Sequence, residues 1–139
     1  MHVFTYGSLM YPEVWTRVVA GRYRSWRGII RNFERRRIVG ASYPALMHGS
    51  GTVEGVVYCD VGVNDLAALD RFELEGEDYR RMEVPVALET GRTLTAWTYL
   101  YLRHDRIAQE RWEPRQFEAR DLPNFVATYC RAHAPGAFD

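Results

Sequence analysis

The chain has 139 residues, 47% of them hydrophobic, which is enough for one domain with a buried core. Its 18 basic and 18 acidic side chains give a formal net charge of zero, so general attraction to nucleic acid or to a membrane surface is not expected. The sequence has no run of about 18 apolar residues, no signal-peptide pattern, and only Cys59 and Cys130 as cysteines. These features predict a single cytoplasmic domain over residues 1–139 with reduced cysteines.

The chain begins with a predicted strand over residues 2–6. A short helix is predicted over residues 12–19, because Pro12 suits the first turn of a helix and Ala20-Gly21 would end it. The strand and the helix are separated by only five residues, so the segment between them must turn sharply.

That turn contains the motif Tyr6-Gly7-Ser8-Leu9. Gly7 permits backbone conformations that other residues avoid, which allows the chain to turn after the strand. The amide N–H groups of Ser8 and Leu9 would then be free to face a cavity. Consecutive free amides form a small site for an anion such as a carboxylate.

The middle of the chain predicts further strands and one helix. Residues 23–39 combine strand-forming residues with charges, which indicates one or two exposed strands, and residues 53–59 predict a strand after the turn at 49–51. Asn64 is suited to cap a helix over residues 65–72.

A β-hairpin is predicted where residues 79–88 and 93–102 flank the turn at 89–92. The two faces of its second strand carry Leu94, Ala96, Thr98, Leu100 and Leu102 on one side, and Thr95, Trp97, Tyr99 and Tyr101 on the other. Pro114 and Pro123 each predict a helix start, with Phe125, Val126 and Tyr129 following at helical spacing. Many strands with few helices predict a small α+β domain built on a curled sheet.

Glu73 is the candidate acid/base residue. It ends the predicted helix, where the negative end of the helix dipole raises the pKa of a carboxyl group. Phe72 and Leu74 could desolvate the same carboxyl, with the same effect. A general base for an amine needs such a shift. The alternative is a solvated acid within the acidic run 73–78, and the residue pattern alone favours that alternative.

Four motifs, taken in order, favour the acid/base role of Glu73 over that of a solvated acid. They are Tyr6-Gly7-Ser8-Leu9, Tyr43-Pro44-Ala45, Leu69-Asp70-Arg71-Phe72-Glu73 and Tyr79-Arg80-Arg81. Their order resembles that of the γ-glutamylcyclotransferase-like (AIG2-like) family, over residues 1 to about 102. The resemblance implies a small mixed β-barrel flanked by short helices, with the site at the mouth of the barrel.

The resemblance also implies an activity. A member of this family is a cofactor-free enzyme that acts on a small-molecule γ-glutamyl amine or peptide and releases 5-oxoproline and a free amine. It implies Glu73 as the acid/base, and the amides around Gly7 as the group that holds the substrate carboxylate. The residues expected to bind substrate are Tyr6, Gly7, Ser8, Leu9, Tyr43, Tyr79 and Tyr101.

The tyrosines and the acidic run leave alternatives open. Tyr79, Tyr99 and Tyr101 could form a substrate wall and donate hydrogen bonds, or they could be ordinary strand aromatics. The family usually has glycine directly after its glutamate, whereas here Leu74 and Glu75 intervene, and Glu75 also precedes a glycine. Glu73 is favoured, because the helix fixes its direction while the inserted residues can bulge.

Other functions are also considered. The same pocket could belong to a non-catalytic module that binds an amino-acid-like ligand. The triplet Arg35-Arg36-Arg37 could contact phosphate or RNA, but with zero net charge a solvated strand edge is the better interpretation. No histidine pair has the spacing of metal ligands, so we expect no metal. The resemblance implies no cofactor, and the zero net charge predicts neither a nucleic-acid partner nor membrane association.

Overall fold

Five strands close into a barrel in the computed structural model, which describes residues 1–127. They are β1 (Val3–Thr5), β2 (Ser25–Ile38), β3 (Pro44–Tyr58), β4 (Tyr79–Leu88) and β5 (Thr93–Tyr101). Around the barrel the order is β1–β3–β2–β4–β5, and β5 pairs back to β1. The β1–β5 pair is parallel and the other pairs are antiparallel. The predicted α+β class with a small mixed barrel is confirmed. A sixth strand, β6 (Ile107–Arg111), pairs with the end of β2.

Short helices flank the barrel. They are α1 (Pro12–Val18), α2 (Val63–Phe72), α3 (Pro114–Gln116) and α4 (Leu122–Phe125). A π-helical turn over Phe117–Asp121 joins α3 to α4. The helix starts predicted at Pro114 and Pro123 are therefore both found within the first turn of a helical segment. Tyr129, predicted to continue this helix, lies outside the described residues.

The hairpin of β2 and β3 is longer than the sequence predicts. The sequence predicts a strand only from residue 53, because glycines and Ser50 at 49–51 read as a turn. In the structure β3 already begins at Pro44, which pairs with Arg37, and the pairing continues to Tyr58 with one irregularity between Arg31 and Phe33. Long-range pairing with β2 therefore overrides the local turn signal, as is common for strands.

Two hydrophobic clusters lie on the two faces of the barrel wall. One contains side chains from all five barrel strands and fills the interior: Phe4, Ile30, Leu46, Val57, Val84, Val86, Ala96 and Leu100. The other joins the outer face to the helices: Val3, Trp15, Leu66, Leu69, Tyr99, Tyr101 and Phe117. The two faces predicted for the second hairpin strand are confirmed, since Ala96 and Tyr99 fall in different clusters.

The predicted cap of α2 is wrong. The helix begins at Val63, with Gly62 at the capping position, and Asn64 makes no side-chain capping bond. Asp65 in the first turn instead accepts hydrogen bonds from the backbone N–H groups of Ala20 and Gly21, both at 2.9 Å. Its carboxylate also accepts the hydroxyl of Tyr23. The buried Asp65 side chain thus fastens α2 to the segment that follows α1.

Replacing Asp65 tests this connection. Asp65→Asn should lower the free energy of unfolding by about 1–3 kcal/mol at neutral pH, because bonds to a charged group are replaced by weaker ones. Urea denaturation measures the change. Asn64→Ala is the matched control, since this exposed neighbour caps nothing, and its effect should stay within about 0.5 kcal/mol.

The same difference should depend on pH. Burial acts to raise the pKa of Asp65, but the bonds from Tyr23, Ala20 and Gly21 outweigh it and lower the pKa below its ordinary value of 3.8. The stabilisation is therefore present above about pH 3.8 and is lost as the pH falls through the lower native pKa. A gap between wild type and Asp65→Asn that persists unchanged in strong acid would contradict this assignment.

Candidate active site

A cavity of about 140 Å³ opens where the loop after β1 meets the end of α2. Four segments line most of it: residues 6–9, Tyr43-Pro44, residues 72–74, and Asp78-Tyr79. Phe125 completes the wall. The structure therefore brings together Glu73 and six of the seven residues expected to bind substrate, which are far apart in the sequence. Pro44, Phe72, Leu74, Asp78 and Phe125 are additional lining residues.

The loop after β1 passes very close to the Tyr43-Pro44 segment. A Cβ atom at Gly7 would lie 2.7 Å from both Cγ and Cδ of Pro44, a contact too short to tolerate. The φ angle of Gly7 is −134°, so the left-handed region is not used. Glycine is thus required here by close approach of two chain segments, which the sequence-based argument from turning did not foresee.

The amides of this loop are free to bind an anion. The N–H of Met10 donates to the carbonyl of Gly7 at 3.0 Å, and the N–H of Tyr11 donates to Ser8 at 3.2 Å. Within residues 1–127, the N–H groups of Gly7, Ser8 and Leu9 have no hydrogen-bond acceptor. Ser8 and Leu9 are buried, with exposures of 6% and 4%. Buried amides without a partner are rare in proteins, and here they line a cavity that an anionic ligand could enter.

Glu73 lines the same cavity. It stands at the C-terminal end of α2, where its N–H still donates to the carbonyl of Leu69 at 2.9 Å, so the helix fixes where its side chain begins. The carboxylate has no hydrogen-bond or ion-pair partner in the part of the chain that the structure describes. Burial, and secondly the negative charge of Asp78, raise the pKa of Glu73 to about 8. Glu73 is therefore a carboxyl group able to exchange protons near neutral pH.

Glu75, the competing candidate, does not line the cavity. Its side chain is exposed and accepts the backbone N–H of Arg81 at 2.9 Å. The inserted residues form a tight turn in which Leu74 and Gly76 have φ angles of +52° and +89°. This turn absorbs the insertion and leaves Glu73 at the cavity wall, so the two glutamates have different surroundings.

A small network behind Glu73 holds the last turn of α2. Asp70 accepts the hydroxyl of Tyr99 at 2.7 Å and pairs with Arg81 at 3.1 Å. The guanidinium of Arg81 lies over the ring of Trp97, 4.7 Å from its centroid. These contacts fix the end of α2 to β4 and β5. Asp70 has no expected role from its residue type alone, although its spacing three residues before Glu73 places both on one side of the helix.

The tyrosines form walls of the cavity. Tyr6 donates its hydroxyl to the carbonyl of Tyr99 at 2.6 Å, and Tyr79 donates to the carbonyl of Pro44 at 2.9 Å. Burial, the largest cause, raises the pKa of both phenols well above the ordinary value of 10.0. Both therefore stay neutral, and their protons already have acceptors within the protein. Tyr43 also lines the cavity.

Tyr101, which is also expected to bind substrate, lies next to a lining residue rather than at the cavity wall. Tyr101 pairs directly with Tyr79 across the hairpin, and the two rings pack at 5.1 Å and 64°. Tyr79 lines the cavity, whereas Tyr101 does not. The sequence correctly places Tyr79 and Tyr101 in the same region of the sheet. In the register of the hairpin, Tyr79 is the one that lies at the cavity.

The described residues contain no group of three or more His, Cys, Asp or Glu side chains that could hold a metal ion. Across residues 1–127, no helix is both long enough and apolar enough to cross a membrane.

The acidic groups of the cavity are Glu73 and Asp78, and Asp78 is paired with Arg103 at 2.9 Å. The groups of the cavity that are available for chemistry are therefore one unpaired carboxyl group, backbone amides and tyrosine side chains.

Comparison with known proteins identifies the family. The model of the gamma-glutamyl cyclotransferase, AIG2-like family matches residues 3–114. The chain belongs to this family. The resemblance inferred from the four motifs is confirmed, and the match extends beyond residue 102 through β6.

Similar proteins agree with this assignment. Protein AIG2 C of Arabidopsis thaliana is 29% identical over 133 residues, which are 92% of this chain and 78% of that protein. A solution structure of an Arabidopsis thaliana protein matches with 25% identity and a TM-score of 0.70, covering 92% of this chain and 78% of the other. A structure described as gamma-glutamyl cyclotransferase, at 22% identity, has the same fold, with a TM-score of 0.61 over 73% of this chain and 66% of its own.

The raised pKa of Glu73 should affect stability. Because the native state keeps Glu73 protonated up to about pH 8 while the unfolded state ionises near 4.5, native stability falls as the pH rises between these values. Glu73→Gln has no ionisable group at this position, so its native stability does not fall in this way. The variant should gain stability over wild type across that range, with a slope of at most about 1.4 kcal/mol per pH unit, and the gain should level off above it.

Urea denaturation at several pH values measures this gain. Glu75→Gln removes an exposed charge two residues away and is the matched control. A stability difference between wild type and Glu73→Gln that is flat from pH 4.5 to 8 would show that the pKa of Glu73 is not raised in the native state.

Proposed function

We propose that this protein is a γ-glutamylcyclotransferase-like enzyme, which releases 5-oxoproline and a free amine from a γ-glutamyl amine or peptide without a cofactor. The observation that carries the proposal is the placement of Glu73 in the same cavity as the amides of Ser8 and Leu9, which lack acceptors. These are groups of the kinds needed to exchange a proton with an amine and to hold a carboxylate.

The size of the cavity suits the γ-glutamyl head of such a substrate. Sites for drug-sized ligands have volumes of about 300–1,000 Å³, whereas this cavity has about 140 Å³. It therefore takes an amino-acid-sized group, and the leaving amine would extend through the mouth. The α-carboxylate of the substrate would accept the N–H groups of Gly7, Ser8 and Leu9, with its α-ammonium group toward Glu73.

The pKa of Glu73 is close to that of its proposed partner. An α-amino group ionises at about 7.7–8.0, and the pKa of Glu73 is about 8. Proton transfer between groups of similar pKa costs little free energy in either direction, which suits a residue that must both accept and return a proton. An exposed glutamate would be too weak a base for this step.

The reaction would move two protons, one after the other, from the attacking nitrogen to the leaving nitrogen. The Glu73 carboxylate takes a proton from the α-ammonium group, and the freed amine attacks the γ-carbonyl carbon of the same residue. A new C–N bond closes the five-membered lactam, and the bond from the γ-carbon to the leaving amine breaks. Glu73 returns its proton to the leaving nitrogen, and the second proton that the attacking nitrogen loses as the lactam forms also passes through Glu73 to the leaving amine, which departs as an ammonium ion. Because the attack is intramolecular, correct positioning supplies much of the rate.

Loss of the acid/base should greatly reduce activity. Glu73→Gln should lower kcat for 5-oxoproline release by about 10²–10⁴-fold, because general acid–base groups contribute that much. The assay uses a panel of γ-glutamyl amines and dipeptides, with Glu75→Gln as the control that keeps activity.

In the wild type, kcat/KM should rise with pH toward about 8, as Glu73 loses its proton. Activity lost in Glu75→Gln and kept in Glu73→Gln would reverse the assignment.

Product binding tests the carboxylate site separately. 5-Oxoproline should stabilise the wild type against thermal unfolding, by about 2.7 kcal/mol when present at one hundred times its dissociation constant. Acetamide, which lacks a carboxylate, is the control and should have no such effect. A wild type that is stabilised by γ-glutamyl compounds but turns none of them over would instead be the small-molecule-binding module considered from the sequence.

The partner we propose is a small molecule in the cytoplasm rather than a nucleic acid. Two of the three consecutive arginines of β2 are engaged within the protein, because Arg36 pairs with Glu34 at 2.8 Å and Arg35 binds backbone carbonyls. Their contact with phosphate would have to displace these partners.

A further inference from the structure

Arg35 lies on β2, outside the cavity, and is connected to the loop that forms it. Its Nη1 atom donates to the carbonyl of Tyr6 at 2.7 Å and to the carbonyl of Glu54 at 3.2 Å. Its guanidinium lies over the ring of Trp112, 5.1 Å from the ring centroid. From the sequence Arg35 is expected on a solvated strand edge, but its side chain is partly buried and donates to backbone carbonyls.

These two carbonyls mark the place where β1 separates from β3. The last ladder pair between these strands is Thr5 with Val56. Beyond it the chain leaves the sheet to form the loop at residues 6–9. Arg35 bonds the carbonyl of Tyr6 on one side of the gap and that of Glu54 on the other, so a single side chain joins the separating strands.

The bond to Tyr6 also controls the direction of the next amide. The carbonyl of Tyr6 and the N–H of Gly7 belong to one planar peptide unit, and in a trans peptide they point in opposite directions. No cis peptide occurs in the described chain. Arg35 therefore fixes the direction of the Gly7 N–H away from itself. Gly7 lines the cavity and Arg35 does not.

A cationic donor also strengthens this amide. A hydrogen bond from a guanidinium to a carbonyl is charge-assisted, and it polarises the peptide so that the N–H at its other end becomes a better donor. Glycine has no side chain with which to lock its own conformation. An external donor to the Tyr6 carbonyl is thus an effective way to hold the Gly7 amide in one orientation.

We propose that Arg35 is a positioning residue for substrate binding, which acts through the Tyr6–Gly7 peptide to hold the Gly7 N–H toward the substrate carboxylate. The inference rests on the proposed function for its ligand, because a carboxylate must occupy the loop for the amide to matter. Since the carboxylate is remote from the reacting carbonyl, Arg35 would support ground state and transition state alike. Its loss should raise KM more than it lowers kcat.

The test compares Arg35→Met, Arg35→Lys and Arg37→Met. Arg35→Met keeps much of the apolar stem beside Trp112 but has no donor, and KM for a γ-glutamyl substrate should rise about tenfold or more. Arg35→Lys keeps the charge and should give a smaller rise. Arg37→Met is the matched control, because Arg37 is exposed on the same strand, and its KM should equal that of wild type.

A second readout needs no turnover. In the ¹⁵N-labelled protein, the Gly7 amide resonance should move in Arg35→Met and Arg35→Lys and stay in place in Arg37→Met. In the wild type, 5-oxoproline should shift the same resonance. A Gly7 resonance that stays in place while 5-oxoproline binds, or a folded Arg35→Met with unchanged KM and unchanged Gly7 resonance, would overturn the proposal.

The two hypotheses fail in different ways. A wild type with neither turnover nor 5-oxoproline binding would refute the proposed function, and the Gly7 resonance of the unliganded variants would still decide whether Arg35 controls that peptide. If Arg35→Met does not fold, Arg35→Lys and the wild-type titration supply both readouts. A rise in KM without any change at Gly7 would assign Arg35 a structural role only.

Discussion

The closure of the barrel depends on a strand of only three residues. β1 pairs with β3 on one side and with β5 on the other, and Val3 has a partner in each neighbour, Tyr58 and Trp97. The hydroxyl of Thr98 adds a bond to the carbonyl of Phe4 at 3.0 Å. Since β1 has only three residues, its last residue, Thr5, lies close to these contacts with β3 and β5 and is held by them. The loop that follows is therefore anchored at the barrel rim, where a cavity can form.

The cavity is formed at a cost to stability. A carboxyl group without a partner is placed where burial opposes its ionisation, and the neighbouring charge of Asp78 adds to the effect. Buried amides in the facing loop also lack acceptors. Proteins rarely keep such groups except at sites where a ligand or a reaction uses them. The rigid elements around them, especially the end of α2 held by Asp70, keep these unsatisfied groups at fixed positions.

The sequence predicted the elements whose signals are local. The hairpin of β4 and β5, the two faces of β5, and α2 all follow from periodicity and turn residues, and the motifs placed Glu73 and the loop at residues 6–9 together. The true length of β3 was missed, since the pairing of Pro44 with Arg37 is a long-range effect. Asn64 looked like a cap, but the structure uses Asp65 to bind a distant segment. Arg35 is not part of a solvated edge, because the folded chain brings its side chain to the carbonyls of Tyr6 and Glu54. Tyr79 rather than Tyr101 lines the cavity, and only the register of the hairpin decides between them.

The wall of the cavity is built from two parts of the chain. Glu73, the loop at residues 6–9 and the Tyr43-Pro44 segment lie within the part matched by the family model, residues 3–114. Phe125 lies beyond it, on α4. The groups proposed to act on the γ-glutamyl head thus all lie within the matched residues, whereas one wall of the cavity comes from the helical segment that follows β6. A substitution at Phe125 would therefore change the shape of the cavity while leaving the proposed acid/base and the carboxylate-binding loop in place.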